Sequence, residues 1–106
     1  MQFESKSKEE IIIKFQKIPG VGKQIAHDFW ELGFNSPNEL IGHNPEKLYL
    51  QLCTLKGMII DRCMLYVIRC AIYYVSNVNH EPALLNWWAW KDESLNPPNH
   101  PVKTFS

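Results

Sequence analysis

The chain has 106 residues, enough for one domain with a modest core. Hydrophobic residues make up 45% and the formal net charge is zero, which excludes a disordered polyelectrolyte and a broadly basic DNA-coating protein; any nucleic-acid affinity must come from a local patch. Three cysteines, a polar start from Met1 to Glu10 unlike a signal peptide, and no apolar run of membrane-spanning length predict a cytoplasmic protein with reduced thiols.

Ser7 to Glu10 reads S-x-x-E, a capping box that opens a helix. Ile11, Phe15 and Ile18 follow at four- and three-residue steps, on one face, with Lys14 and Lys17 off it. Pro19 ends this helix, because it fixes its own φ and has no N–H to donate. A second helix opens at Gly22 and Lys23 and carries Val21, Ile25, Phe29 and Leu32 on one face. Ala26 lies where a bulky residue would hold the two helices apart, and Gly33-Phe34 fits a left-handed stop. Ser36-Pro37-Asn38-Glu39 predicts a second capping box and a short helix to about Ile41, ended by Gly42. Asn44-Pro45 opens a helix with Leu48, Leu52 and Leu55 on one face, Tyr49 and Cys53 beside them, and Lys56-Gly57 at its end. Asp61 caps the longest helix, where Arg69 is the only charged residue between Cys63 and Val75; such a helix belongs in the middle of a bundle. Pro82 begins a last short helix, Ala83 to about Lys91, with Trp87, Trp88 and Trp90. No segment has strand period. The expected fold is all-α: a compact single-domain bundle of five to six helices over 7–92, with a flexible tail at 93–106.

The stretch Ile18-Pro19-Gly20-Val21-Gly22-Lys23 carries most of the functional signal. Gly20 and Gly22 permit a very tight turn and close approach of a ligand. The first N–H groups of the second helix lack intrahelical partners and the dipole there favours an anion, so backbone and ammonium together form a phosphate cradle. Ile18, Gly20, Val21, Gly22 and Ala26, with Lys23, resemble the helix-hairpin-helix motif of DNA-binding proteins. The resemblance implies that the amides of Gly20, Gly22 and Lys23 hold a DNA phosphate around Val21, with Lys14 and Lys17 adding charge. It implies no cofactor other than a monovalent cation, which the carbonyls of Gln16, Ile18 and Val21 would hold. The helix order matches a doubled helix-hairpin-helix (SAM-like) domain whose second hairpin, Leu55 to Ile60, is degenerate: it has Gly57 and no GxG.

A broader resemblance runs through Ile18–Lys23, Pro45–Cys53, Asp61–Ala71 and Leu84–Asp92. In these runs the chain is similar to a small bacterial helix-hairpin-helix family labelled pathogenicity locus, often called mitomycin-resistance-like. That resemblance implies an all-α fold and a bacterial cytosolic setting, and little biochemistry.

Other residues carry two readings each. Cys63 and Cys70 are seven apart and Cys53 could approach them, but no C-x-x-C pair exists and the four histidines are scattered, so a core role outweighs metal binding. Arg69 needs a partner, either a carboxylate such as Glu39 or Glu46 or, with Arg62, a phosphate. Trp87, Trp88 and Trp90 either staple the last helix to the core or form a protein-binding patch.

From Ile11 to Ala26 there are three lysines and no acid. The leading expectation is therefore a non-enzymatic module that contacts the DNA backbone weakly and without sequence preference; the alternative is a protein-protein interaction or oligomerisation domain. The hairpin also resembles that of base-excision glycosylases, but the matching region, Asn35 to Asn44, lacks their catalytic Asp, and three cysteines cannot hold their iron–sulfur cluster. No enzymatic activity and no metal site are expected.

Overall fold

The computed structural model describes residues 7–92. Four α-helices occur among them, α1 (Lys8–Phe15), α2 (Lys23–Glu31), α3 (Pro45–Lys56) and α4 (Cys63–Ser76), with 3-10 turns at Pro37–Leu40, Pro82–Leu85 and Trp87–Trp90. There is no strand among the described residues. The expected tail at 93–106 lies outside them.

The helix ends follow the chemistry of their caps. Ser7 Oγ accepts from the Glu10 N–H and Glu10 Oε1 from the Ser7 N–H, closing the predicted capping box. The Asn44 side chain accepts from the amides of Glu46 and Lys47. At the end of α2, Gly33 has φ 103. The Phe34 amide there donates back to the Phe29 carbonyl at 3.2 Å, with Phe34 folded into the core. Gly57, with φ 70, ends α3 in the left-handed conformation. The Asp61 carboxylate accepts from the Cys63 N–H at 3.0 Å at the start of α4.

Two expected short helices are 3-10 turns, so the α-helices number four among the described residues rather than five to six. Residues 37–40 are confined between Pro37 and the positive-φ Gly42, too short a span to nucleate an α-helix. The expected second capping box does not form: Ser36 makes no side-chain cap bond, and Glu39 Oε1 accepts instead from the Asn35 N–H at 2.9 Å. In the last segment, Asn86 is extended (φ −95, ψ 127) and splits the predicted helix in two. The break lets the Trp90 indole N–H donate to the Leu84 carbonyl at 2.9 Å.

The core collects the predicted faces. Phe15, Phe29, Ala26, Leu40, Leu52, Leu65 and Ile68 are fully buried, and Phe15 stacks on Phe29 with ring centroids 5.1 Å apart. Ala26 at the α1–α2 crossing lets these rings meet. Helix α4 packs against α3 and all three 3-10 turns, the central position its apolar sequence predicts. Leu55 departs from its predicted face and is half exposed, because it falls in the last turn of α3 beyond the core. Asp28 is buried, held by Lys56 Nζ at 3.0 Å and by Gln24 Nε2 at 3.3 Å. Lys56 also reaches Glu31 at 2.9 Å, which ties the end of α3 to α2. The Glu31 and Asp28 bonds raise the Lys56 pKa, and the Lys56 bond lowers that of Glu31.

Candidate nucleic-acid interface

The chain from Phe15 to Lys23 tightens as it leaves α1. The amides of Lys17, Ile18 and Val21 each donate three residues back, to Lys14, Phe15 and Ile18, and Gly20 takes φ 84. That positive φ requires glycine. Gly22 does not: it is extended (φ −87, ψ −172) and serves as the N-cap of α2, its carbonyl accepting from the Ala26 N–H at 2.9 Å. Nothing in the fold requires its lack of a side chain either, because a Cβ built there meets nothing within 4 Å. The turn is open in front of Gly22.

Among the described residues, the amides of Gly20, Gly22 and Lys23 form no hydrogen bond. Ile18 and Val21 turn their side chains into the core, which leaves the backbone as the exposed chemistry of the turn. Of the three carbonyls expected to hold a cation, that of Ile18 accepts the Val21 N–H at 3.0 Å. Gln16 is the C-cap of α1, and neither its carbonyl nor that of Val21 takes a hydrogen bond among the described residues.

The three lysines do not form one patch. Lys23 lines a shallow groove with Ile12, Ile13, Gln16 and Glu9, so an acid from the first turn of α1 shares its surroundings. Lys14 and Lys17 line a separate cleft with residues of the Ser36–Asn38 corner and the end of α4. The window from Ile11 to Ala26 contains no acid, but the fold brings Glu9 to it.

Trp87 sits against the turn: a Cβ on Gly20 would lie 3.5 Å from its Cδ1. Trp87 packs on the core, Trp90 leans on Tyr73 with centroids 5.4 Å apart, and Trp88 is half exposed. Two of the three tryptophans thus hold the last segment down.

Arg62 and Arg69 are engaged in the same work. Asp92 accepts from Arg62 Nε at 2.6 Å, from Arg69 Nη1 at 3.0 Å and from the Tyr66 hydroxyl at 3.3 Å. Arg69 also donates to the Trp90 carbonyl at 2.9 Å and to Glu46 at 2.7 Å, one of the partners its position called for. The Arg62 bond, with Arg69 adding to it, holds the Asp92 carboxyl down to about 2. The Arg69 bond likewise lowers Glu46. Asp92 is the common acceptor that sequence reasoning missed, because nothing in local spacing links it to α4.

The cysteines follow the core reading in part. Cys70 is fully buried and burial pushes its thiol up to about 11; Cys53 is half-buried and accepts from the Ile60 N–H; Cys63 is exposed. The donor atoms of His27, Asp28 and Glu31 lie within 4.8 Å of one another, but the Lys56 ammonium already sits on both carboxylates.

Together these elements define a compact, all-helical domain with an open glycine turn. The chain belongs to the pathogenicity locus (Cdd1) family, whose family model matches residues 8–96. No curated protein and no solved structure matches the chain. No helix among the described residues is long and apolar enough to cross a membrane.

Proposed function

We propose that this protein is a small, non-enzymatic DNA-binding module of the cytoplasm. In this reading α1, the Gln16–Gly22 turn and α2 are a helix-hairpin-helix motif. Helices α3 and α4 are its second, degenerate copy, with Gly57 alone where a GxG would stand. The observation that carries the reading is the set of unengaged amides at Gly20, Gly22 and Lys23, in front of open space at Gly22. Such a cradle binds a backbone phosphate and reads no base. Lys23 adds a charge at the cradle, and Lys14 and Lys17 add theirs from the far flank of α1. One hairpin neutralises few phosphates, and Glu9 stands beside Lys23, so affinity is weak, on the order of micromolar or poorer.

Fluorescence anisotropy with duplex, nicked and single-stranded DNA across a salt series tests this. Lys23→Glu should weaken all duplexes alike and make the salt slope shallower by about one. Gly22→Val should abolish binding while the far-UV helical signal survives. Binding that ignores both substitutions, or none even at low salt, refutes the reading.

A second reading has its own observation. Leu55 in the last turn of α3 and Met58 and Ile59 just beyond its end are exposed, Ile59 by 86%, as is Trp88. Exposed apolar residues of this kind suit a protein partner or self-association. Sedimentation velocity of the wild type against Ile59→Asp distinguishes the two: a dimer that the substitution dissolves favours this alternative.

A further inference from the structure

We infer that Trp88 is a stacking platform for an unpaired base, so that the DNA this protein prefers carries a single-stranded stretch. The inference rests on the hairpin reading for the phosphate and adds a base beside it. Trp87 links the two places. A Cβ on Gly20 would lie 3.5 Å from Trp87 Cδ1, and the ring centroids of Trp87 and Trp88 are 5.6 Å apart. The Trp88 indole is thus one aromatic ring removed from the turn whose amides form the phosphate cradle. Trp87 packs on the core, and Trp90 leans on Tyr73 and donates its indole N–H to the Leu84 carbonyl. Trp88 is 52% exposed. Its plane is 82° from that of Trp87, so Trp87 covers at most one face of it.

The platform is ordered before a ligand arrives. The Ala89 amide donates to the Asn86 carbonyl at 3.0 Å and closes the Trp87–Trp90 turn, whose other two tryptophans are anchored. Little ordering entropy is then lost on binding. Stacking needs a π-face and no particular base, which suits a turn that reads none. In a continuous duplex each base is paired and covered by its neighbours, so an indole reaches a face only after unstacking. An unpaired base carries no such cost. Charge adds little to the preference. Lys91 caps the Trp87–Trp90 turn and Lys23 opens α2. Glu9 shares the groove of Lys23, and Asp92 follows Lys91 with its carboxylate bonded to Arg62 and Arg69. The preference is therefore a stacking gain, and it persists at salt concentrations that weaken the phosphate contact.

Fluorescence anisotropy with the full chain compares three labelled probes: a continuous duplex, the same duplex with a single-stranded gap, and that gapped duplex with abasic nucleotides in the gap. The abasic probe keeps the phosphates and removes the bases. The gapped probe should bind about tenfold more tightly than the abasic one, at every salt concentration of the series. Trp88→Ala should remove that difference and leave the continuous duplex unchanged, and Trp88→Phe should restore most of it. Lys23→Glu should weaken all three probes alike. Thermal melts of the variants verify that each is folded. Equal binding of the gapped and abasic probes, or a difference that survives Trp88→Ala, overturns the inference; if Lys23→Glu still weakens all three, the hairpin reading stands. A difference that Trp88→Ala removes, with no probe responding to Lys23→Glu, keeps the platform and refutes the hairpin instead. No binding of any probe at low salt refutes both.

Discussion

Replacing Asp92 by Asn isolates the clasp that closes the domain. The substitution keeps the shape of the side chain and removes the charge that Arg62 and Arg69 share. The carboxyl falls from its usual 3.8 to about 2, a difference worth about 2.5 kcal/mol for a fully shielded group. The Asp92 side chain is 41% exposed, so solvent screens much of that, and about 1 kcal/mol remains. Arg69 keeps Glu46 and the Trp90 carbonyl in the variant, which limits the damage further. The melting temperature should fall by about 4–8 °C at pH 7. The pH dependence has a definite sign. A depressed carboxyl pKa stabilises the fold above the unfolded value, near 4, and that stability is lost as pH falls toward about 2. Urea unfolding followed by tryptophan fluorescence at pH 7 and pH 2.5 should therefore show the gap between wild type and variant shrinking to roughly a third at the lower pH. Equal stability at pH 7, or a gap that survives acid, would refute the clasp.

Gly20→Ala forces a side chain into positive φ and should cost about 1–2 kcal/mol, whereas Gly22→Ser, in extended backbone and open space, should be neutral or gain a few tenths as a better N-cap; paired thermal melts check both. Thiol titration with a chromogenic disulfide at pH 8 should modify Cys63 first and reach Cys70 only as the protein unfolds, since burial raises the Cys70 thiol to about 11; simultaneous reaction of the two, resolved by peptide mapping, would contradict the buried placement.

Most of the architecture was legible because it is written in local rules. Ser7, Gly33, Asn44 and Gly57 act through partners within one turn, and the apolar faces of α1 and α4 repeat at helical period. The last segment was misread because Trp87 to Trp90 have adequate helix propensity. Its docking on α4, with Trp90 bonded to the Leu84 carbonyl, overrides that propensity. Long-range ion pairs left no local trace: Lys56 meets Asp28 and Glu31, and Arg62 and Arg69 meet Asp92, across spacings that no periodicity encodes. At the candidate site the turn and its glycines were visible in sequence, but the distribution of charge was not. Counting lysines along a window ignores which flank of α1 each one takes, so the division between Lys23 and the Lys14–Lys17 pair needed the fold.

The contact between Trp87 and Gly20 has a consequence for the order in which the domain is made. Synthesis proceeds from the N-terminus at about 5–20 residues per second, and the two partners lie near opposite ends of the described chain. Helices α1 and α2 are neighbours in sequence and can pair soon after both have emerged from the ribosome. The flank of their turn at Gly20 stays bare until Trp87 has been translated and α4 exists to carry it. For that interval the nascent chain displays an apolar notch at its best-formed corner, the kind of surface that a chaperone engages and that a neighbouring nascent chain can capture.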